Sequence, residues 1–384
     1  MNYSDHIGII GGGIAGLALA CALSKFNIKT IVFERNDELS AYGAGISISK
    51  NASKILDRLN ILEIFKKNSY QPGKSYWYYK NNEFHHTEVD IFTSSRQTLI
   101  KTLYDEYISL GGEVFFNYEI SKISNKGKLL EFENSKNCSV GHVAVCDGIK
   151  SKIRNELFTG DNKVTYSGFN AWRFIGKSAN TNINFNLDSD SHIVNYPIDK
   201  NLNQSVVAIS KNKIWDHESW KQEATIEEFY RTFDQKTNYL KPLINENQKI
   251  YKWGIFIRPN VNKIYTDNIT LFGDAAHPMV PFLGQGGCMA IEDAYTFAFL
   301  LQKLNMNYSK AQFIYDKLRV PRNSMIGQMS LRQARLNHIK NYYFASLRNL
   351  IMKKTNLISK RMNNVWEYDA HQQAERELKN YSFD

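Results

Sequence analysis

The first 35 residues combine two apolar runs with a glycine-rich turn. Residues 6–10, HIGII, have the composition of a buried strand, and the small and apolar residues from Leu17 onward suit a buried helix. Residues 29–35, KTIVFER, predict a second strand. Strand, turn, helix and strand in this order are typical of a dinucleotide-binding unit in a parallel sheet.

Three glycines in the turn have separate physical roles. Gly11 permits the tight turn, Gly13 lets the backbone approach a pyrophosphate, and Gly16 lets the helix pack closely on the strand. The positive end of the helix then faces the phosphates. Glu34, at the end of the second strand, can accept hydrogen bonds from an adenosine ribose. The segment therefore predicts a ligand that contains ADP, with NAD and FAD as alternatives.

A second glycine-rich stretch favours FAD over NAD. A strand is expected to end at Phe272, which places Asp274 at the carboxyl end of that strand, where α/β sheets bind ligands. Gly284, Gly286 and Gly287 precede a helix expected to begin near residue 287, and its N-terminus would stabilise an anion. A flavin fits such a site because its ribityl hydroxyls need an acceptor such as Asp274 and its reduced ring is negatively charged near N1.

Runs typical of β-strands, with interleaved aromatic residues, lie between the two glycine-rich regions. They are HIVNYPI (192–198), QSVVAIS (204–210) and YKWGIFI (251–257), and residues 74–89 resemble them. We expect one antiparallel sheet that covers the flavin and is reached by two excursions of the chain. Residues 320–384 are expected to be mostly helical. Their segment SLRNLIMKKTNLISKR puts apolar and basic residues on different faces, which is interpreted as packing on the FAD-binding domain, with membrane association as the alternative.

Composition and charge limit the kinds of ligand, partner and cellular compartment that fit the chain. The chain has 384 residues and a formal charge of +10, which would favour an acidic ligand, an anionic membrane surface or nucleic acid. Because no run of five Lys or Arg and no zinc-finger or RNA-binding signature occurs, nucleic-acid binding is set aside. Four scattered cysteines indicate neither a disulfide framework nor a zinc site and fit a reducing cytoplasm. Residues 7–23 are apolar, but they are too short and too rich in glycine for a membrane span.

Further segments, in the expected order, resemble the single-component FAD-dependent aromatic hydroxylases, which share the fold of p-hydroxybenzoate hydroxylase. Besides the first glycine motif, the segments are GAGISISKNA (43–52), SSRQTLIKTL (94–103), VCDGIKSKIR (145–154), FGDAAHPMVPFLGQGGCMAIEDA (272–294) and RVPRNSMIGQMSLRQARLNH (319–338). The fourth of these is the most specific. It is similar to the branch that contains salicylate and 3-hydroxybenzoate hydroxylases, urate hydroxylase and zeaxanthin epoxidase. Lys50 departs from the family pattern, in which a proline is common.

The resemblance implies a fold class and a domain division. The expected class is α/β, with a Rossmann-like FAD-binding domain, an inserted antiparallel-sheet substrate domain and C-terminal helices. The FAD-binding domain would be discontinuous, and the substrate domain would have two parts. The expected boundaries are 1–70, 91–165 and 258–320 for the FAD-binding domain, 71–90 and 166–257 for the substrate domain, and 321–384 for the helical segment.

The resemblance also implies the chemistry. NADH or NADPH would reduce the bound FAD, O2 would add to the flavin as a C4a-hydroperoxide, and one oxygen atom would pass to a small aromatic substrate, acidic or phenolic. Arg96 and Asp147 enter the cofactor site from the resemblance alone, and no metal site is expected. The full cofactor-binding set is Gly11, Gly13, Ile14, Ala15, Gly16, Glu34, Arg35, Arg96, Asp147, Asp274, Gly284, Gly286 and Gly287.

Two residues of the expected sheet are candidates for catalysis. Residues four apart on a strand share a face, so His192 and Tyr196 would point into the same space. The pair resembles the base and the substrate-contact residue of 3-hydroxybenzoate hydroxylases, which implies that His192 removes a phenolic proton. The alternative is a half-exposed structural histidine. Arg173 could hold a substrate carboxylate, but a place near the flavin or in a surface ion pair is favoured.

Other functions stay open at this point. An epoxidase or hydroxylase of a larger apolar substrate belongs to the same class, whereas an FAD-binding NAD(P)H oxidase or a redox-sensing partner protein would transfer no oxygen. His277 is expected to make a structural hydrogen bond, and Cys288 is interpreted as a packing residue. The sequence leaves open the substrate, the position of oxygenation, the choice between NADH and NADPH, and the oligomeric state.

Overall fold

Two large β-sheets, a small two-stranded sheet and surrounding helices form the described part of the protein. The computed structural model describes residues 1–39, 45–158, 163–212, 215, 222–233, 240–245, 248–259 and 261–381. The strands are β1 (Asn2–Ile10), β2 (Thr30–Phe33), β3 (Gly45–Ser49), β4 (Lys74–Tyr79), β5 (Asn82–Glu88), β6 (Ile91–Ser95), β7 (Glu113–Phe115), β8 (Ile120–Ser124), β9 (Leu129–Phe132), β10 (Asn137–Val145), β11 (Thr165–Lys177), β12 (Ile183–Leu187), β13 (Ser191–Pro197), β14 (Asn203–Lys211), β15 (Gln222–Ala224), β16 (Ile250–Ile257), β17 (Tyr265–Thr266) and β18 (Ile269–Leu271). The helices are α1 (Ile14–Lys25), α2 (Lys50–Arg58), α3 (Leu62–Lys67), α4 (Arg96–Ser109), α5 (Lys152–Leu157), α6 (Ile226–Phe233), α7 (Gly286–Lys303), α8 (Tyr308–Asn337), α9 (Tyr342–Lys354), α10 (Leu357–Trp366) and α11 (Ala370–Asn380).

The first sheet contains the strand, turn, helix and strand predicted from the glycine motif. Its strand order is β17-β18-β10-β1-β2-β7, with β9 paired to β10 and β8 paired to β9. β1 pairs in parallel with β2 and β10, and β10 pairs in parallel with β18. α1 packs against both α4 and α7. Residues 16–23 of α1 are all buried, because a helix covered on two sides needs apolar residues all round. The predicted α/β class is confirmed.

The second sheet is built by two excursions of the chain. Its strand order is β15-β16-β11-β14-β13-β12-β4-β5, so the hairpin of β4 and β5 from the first excursion extends the strands of the second. One detail of the prediction is wrong, because the sheet is not antiparallel throughout. β4 pairs with β12 in parallel, with Ser75 opposite Ile183. A hairpin contributed by a separate excursion can join an edge strand in either direction, and no local pattern decides which.

Helices dominate the C-terminal part, as predicted. α8 is continuous across the expected boundary at residues 320 and 321, and the domain division itself stays a prediction. α9 packs on β5 of the second sheet, whereas α10 contacts α2 beside the first sheet. Packing on the FAD-binding part therefore holds for α10 but not for α9. Within the described residues, no helix combines the length and the apolar character that crossing a membrane requires.

Candidate active site

A cavity of about 490 Å³ lies between the two large sheets. Cys146 and Asp274, which follow the carboxyl ends of β10 and β18, line one side, and Trp253 of the second sheet lines the other. The carboxyl edge of the parallel strands is where α/β sheets bind ligands. The cavity brings together eight of the residues predicted to bind the cofactor, namely Gly13, Ile14, Ala15, Arg96, Asp274, Gly284, Gly286 and Gly287.

The three glycines of the first turn differ in their surroundings. Gly11 has a backbone φ of +106°, and a Cβ there would lie 2.6 Å from the carbonyl oxygen of Cys146. A Cβ on Gly16 would lie 1.9 Å from the carbonyl oxygen of Gly11. The fold therefore needs glycine at both positions. A Cβ on Gly13 would meet no described atom within 4 Å, and this residue lines the cavity. Gly13 thus leaves room for a ligand.

Glu34 and Arg35 follow β2 and do not belong to the described cavity lining. The Glu34 carboxylate accepts a hydrogen bond from the backbone N–H of Gly12 at 2.7 Å and another from that of Asn36 at 3.0 Å. These bonds fasten the glycine turn to the end of β2. The Arg35 side chain is exposed. The ribose contact of Glu34 and the cofactor contact of Arg35 stay predictions.

Arg96 and Asp274 supply charge to the cavity. Arg96 begins α4, and Asp274 follows β18. Both side chains are enclosed by protein yet accessible from the cavity. Burial raises the pKa of Asp274 above its usual value, and the neighbouring Arg96 and His277 oppose that rise. The pair therefore offers a ligand one cation and one acceptor at the carboxyl edge of the sheet.

Asp147 lies beside the cavity rather than among its described lining residues. Its Oδ1 atom is buried without a hydrogen-bond partner among the described residues. Burial raises the pKa of Asp147 to about 6, against an opposing hydrogen bond with Ser151. Arg154 of the same segment donates to the carbonyl oxygens of the two residues after Asp274, at 3.2 and 3.0 Å. The segment therefore holds the turn that carries Asp274 and leaves one carboxylate oxygen unsatisfied.

The glycine loop before α7 forms another part of the cavity wall. Gly284 has a φ of +65°, and a Cβ on Gly287 would lie 2.6 Å from the Ile46 side chain. A Cβ on Gly286 would meet no described atom within 4 Å, so the space beside it is the cavity. Cys288 is buried 3.5 Å from the Ser49 hydroxyl, and burial raises the pKa of its thiol, in agreement with a packing role. Residues 43 and 44 of the matching segment 43–52 lie outside the described residues.

A buried ion-pair network beneath this loop was missed by the sequence analysis. Asp293 accepts hydrogen bonds from the backbone N–H of Gly273 at 3.0 Å and from the Nε2 atom of His277. Arg319 donates to Asp293 and to Glu292, at 2.6 Å in each case. Burial would raise the pKa of Asp293, but His277 and Arg319 bring it below its usual value. The available signal was the acid pair inside the apolar run MAIEDAYTFAF, because buried carboxylates need partners.

His192 and Tyr196 of β13 line the same cavity. The Nδ1 atom of His192 lies 2.8 Å from the Nε2 atom of His338, at the end of α8. Burial, and to a lesser extent His338, lowers the pKa of His192 well below its usual value. The ring is therefore neutral at pH 7, and its Nδ1 atom is held by His338. His338 lies in the quoted segment 319–338, but its partner became visible only in the fold.

Arg173 of β11 faces the cavity from the second sheet. Its guanidinium carbon lies 4.8 Å above the ring of Trp253, and its Nε atom is buried without a hydrogen-bond partner among the described residues. Tyr196 adjoins it: burial raises the pKa of Tyr196, and the positive charge of Arg173 opposes the rise. The surface ion pair considered for Arg173 is therefore wrong, and its position suits contact with an anionic group in the cavity.

The side chains around the cavity fit an FAD molecule. Open space beside Gly13 and Gly286 lets a ligand reach the backbone at the N-termini of α1 and α7, where helix dipoles favour phosphate and other anions. Arg96, Asp274 and the unsatisfied Asp147 oxygen add a cation and acceptors for the hydroxyls of such a ligand. Charged and polar groups thus lie on the side of the first sheet, and the aromatic and apolar wall lies mainly on the side of the second sheet.

Comparisons with known proteins agree with this fit. A family described as FAD binding domain matches residues 5–312. The curated 3-amino-4-hydroxybenzoate 2-monooxygenase PtmB3 of Streptomyces platensis is 28% identical over 88% of this chain and 90% of its own length. The 3-hydroxybenzoate 6-hydroxylase of Klebsiella oxytoca is 24% identical over 90% of this chain and 91% of its own. A solved salicylate hydroxylase substrate complex superposes with a TM-score of 0.84 at 23% identity, over 97% of this chain and 98% of that one.

Proposed function

This chain belongs to the FAD binding domain family and is a flavoprotein monooxygenase with FAD as its cofactor, and we propose that it uses NAD(P)H and O2 to hydroxylate a small acidic or phenolic aromatic compound. The observation that carries this proposal is that eight of the residues predicted to bind FAD line the same cavity as His192, Tyr196 and Arg173. The names of two curated relatives add support, because both act on hydroxylated benzoates.

Each part of the cavity would have a separate task. FAD, when bound, supplies the redox chemistry by accepting two electrons from NAD(P)H and activating O2. The turn at Gly13 and the N-terminus of α1 would bind its pyrophosphate. Arg96 and Asp274 would bind and orient the rest of the cofactor, and the aromatic wall of the second sheet would exclude water from the reaction. The C4a-hydroperoxide route expected above stays a prediction.

His192 would act on the substrate as a proton acceptor. A buried neutral imidazole whose Nδ1 atom is held by His338 can accept a phenolic proton at Nε2. Removal of that proton makes the aromatic ring richer in electrons and so more reactive toward an electrophilic oxygen. Arg173 would bind the substrate carboxylate and hold the ring beside His192 and Tyr196. These roles explain why a cationic and a basic side chain share a mainly apolar wall.

Substrate-stimulated oxidation of NAD(P)H tests the proposed function directly. The purified protein is assayed with phenolic acids, indoles, quinone precursors and polyenes, and products are analysed by mass spectrometry under labelled ¹⁸O2. We expect a phenolic acid to accelerate NAD(P)H oxidation and to gain one labelled oxygen atom. Preference for a polyene would assign the cavity to a larger apolar substrate. NAD(P)H oxidation without any labelled product would contradict oxygen transfer and favour an oxidase or a redox sensor.

Replacing His192 by alanine should uncouple flavin reduction from product formation. A general base contributes about 10² to 10⁴ in rate, so we expect a loss of that order in the product-forming step and more hydrogen peroxide per NAD(P)H consumed. Flavin reduction should change little. Since the pKa of His192 is lowered, the wild-type enzyme should keep its base neutral, and product formation should decline only at a pH below the ordinary histidine range. Higher pH should partly rescue the variant, because solvent then ionises more of the phenol.

The matched control for this variant is His86→Ala. His86 is an exposed histidine on β5 of the same sheet and contacts Glu83 at 3.0 Å. The His86→Ala variant should keep the wild-type ratio of product formed to NAD(P)H consumed. If His192→Ala also forms product with undiminished coupling from a phenolic substrate, His192 is a structural residue and another group is the base.

A further inference from the structure

α9 has a buried face and an exposed face of unusual composition. Ala345, Arg348 and Met352 form the buried face, and two of them pack with Trp77 and Tyr79 of β4. The opposite face carries large aromatic and aliphatic side chains instead of polar ones. An ordinary surface helix has its apolar stripe toward the core and polar residues toward water. α9 therefore has an apolar surface that stays exposed in the described part of the chain.

This α9 surface is defined by seven exposed residues on α9 and at the start of α10. Tyr343 is 81% exposed, Phe344 is 64% exposed, and Leu347 and Leu350 are 51% and 53% exposed. Along the helix they recur at intervals of three or four residues, so they share one side. The seven residues are Tyr342, Tyr343, Phe344, Leu347, Leu350, Ile351 and Leu357. Contiguous exposed apolar side chains of this size mark an interaction site.

Exposed basic residues lie at the C-terminal end of the α9 surface. Residues 340–366 contain six Lys or Arg and no Asp or Glu. Lys353 and Lys354 follow the exposed leucines and form no ion pair with the described residues, whereas Lys340 lies 3.5 Å from Asp190. The next acid along the chain, Glu367, pairs with Lys50 at 2.7 Å. The surface is therefore apolar at its centre and cationic at its edge.

The α9 surface adjoins the rim of the active-site cavity. α10 begins three residues after α9 ends, and its residues Met362, Asn363 and Trp366 line that cavity. Asn363 and Glu88, another lining residue, are exposed, so the cavity reaches the protein surface on this side. A partner held on α9 would lie next to the entrance of the cavity.

We propose that the α9 surface docks the protein on an anionic lipid membrane. An interfacial helix places aromatic and aliphatic side chains in the headgroup region and keeps its basic residues at the anionic surface. A second copy of the chain fits less well, because a symmetric contact would bring two cationic rims together. The proposal does not depend on the substrate, and docking would put the cavity rim at the membrane interface.

Vesicle sedimentation of the full-length, FAD-loaded protein tests the docking. We expect binding to phosphatidylcholine vesicles that contain phosphatidylglycerol, weak binding to pure phosphatidylcholine, and release at high salt. The variant with Leu347→Ser and Leu350→Ser should lower the partition coefficient about 100-fold, since each leucine loses at least ~1.5 kcal/mol of burial. Lys353→Gln with Lys354→Gln should lower it roughly 30-fold at low salt, because each cation near the surface contributes about 1 kcal/mol.

Leu331→Ser is the matched control, since Leu331 is a leucine of similar exposure, 43%, that belongs to α8 and not to the α9 surface. It should bind vesicles as the wild type does, and equal FAD content and circular dichroism would show that all variants fold. Absence of wild-type binding to the anionic vesicles would overturn the proposal, as would full binding by the double leucine variant. A wild-type dimer in light scattering that becomes monomeric in the leucine variant would also overturn it, by assigning the surface to a second copy. None of these three outcomes would affect the proposed oxygenation, because the assays contain no substrate.

Discussion

Replacing Gly13 by valine should abolish FAD binding while leaving the fold intact. The backbone of Gly13 is extended, with a φ of −83°, a conformation that valine adopts readily. Its new side chain would enter the cavity, because a Cβ there meets no described atom within 4 Å. A β-branched group would then fill the space through which the backbone must approach the pyrophosphate. We expect the purified variant to contain less than about one tenth of the wild-type FAD, with unchanged circular dichroism.

Two other glycines provide the contrast. Gly73→Val adds the same side chain at a position where a Cβ also meets no described atom within 4 Å. Gly73 does not belong to the described lining of the active-site cavity, so the FAD content of this variant should stay normal. Gly16→Val should fail to fold, because a Cβ there would lie 1.9 Å from a carbonyl oxygen. Wild-type FAD affinity in Gly13→Val would mean that the pyrophosphate binds elsewhere.

Replacing Arg319 by methionine should be the most destabilising change away from the cavity. Arg319 is fully buried and bonds two carboxylates that are also fully buried, Glu292 and Asp293. Removing one partner from a buried pair leaves uncompensated charge and costs about 3–5 kcal/mol, a large share of the roughly 5–15 kcal/mol by which a protein is stable. Asp293 also holds the backbone N–H of Gly273, so the turn that carries Asp274 should loosen and FAD affinity should fall. Denaturant unfolding of the apo-protein measures the loss of stability.

The pH dependence identifies the cause of this loss. In the wild type the pKa of Asp293 is lowered, so its contribution to stability is present above the ordinary carboxyl range and disappears only as pH falls below it. Without Arg319, burial should raise that pKa, and protonation would then relieve the buried charge. The stability difference between variant and wild type should therefore be larger at pH 8 than at pH 5. Lys101→Met is the control, because Lys101 and Asp105 form an exposed pair at 2.8 Å whose loss should cost no more than about 1 kcal/mol. An Arg319→Met deficit that is equally small, or that is independent of pH, would exclude the buried-charge explanation.

Local patterns in the sequence determined the fold class and the cofactor-binding side of the site. The spacing of Gly11, Gly13 and Gly16 between an apolar strand and an apolar helix predicts the nucleotide turn, because the positive φ of Gly11 and the close approach of Gly16 to the Gly11 carbonyl oxygen arise within the turn itself. The position of Asp274 just after a predicted strand is also visible from the neighbouring residues alone. The α/β fold and FAD as cofactor therefore follow from the sequence alone. The spacing of His192 and Tyr196 likewise anticipated that both line one cavity, since a strand repeats every two residues.

Tertiary structure decided the features that depend on distant partners or on which face is covered. His192 and His338 are 146 residues apart, and only the tertiary fold, which places His338 at the end of α8 beside β13, brings their rings together. The apolar run around Glu292 and Asp293 indicates that both carboxylates are buried, but only the fold shows that Arg319 is their partner. The same reason applies to the parallel pairing of β4 with β12 and to α9, whose amphipathic pattern does not reveal that its larger apolar residues face outward. Sequence patterns set what a segment can form, whereas burial depends on what the rest of the chain places against it.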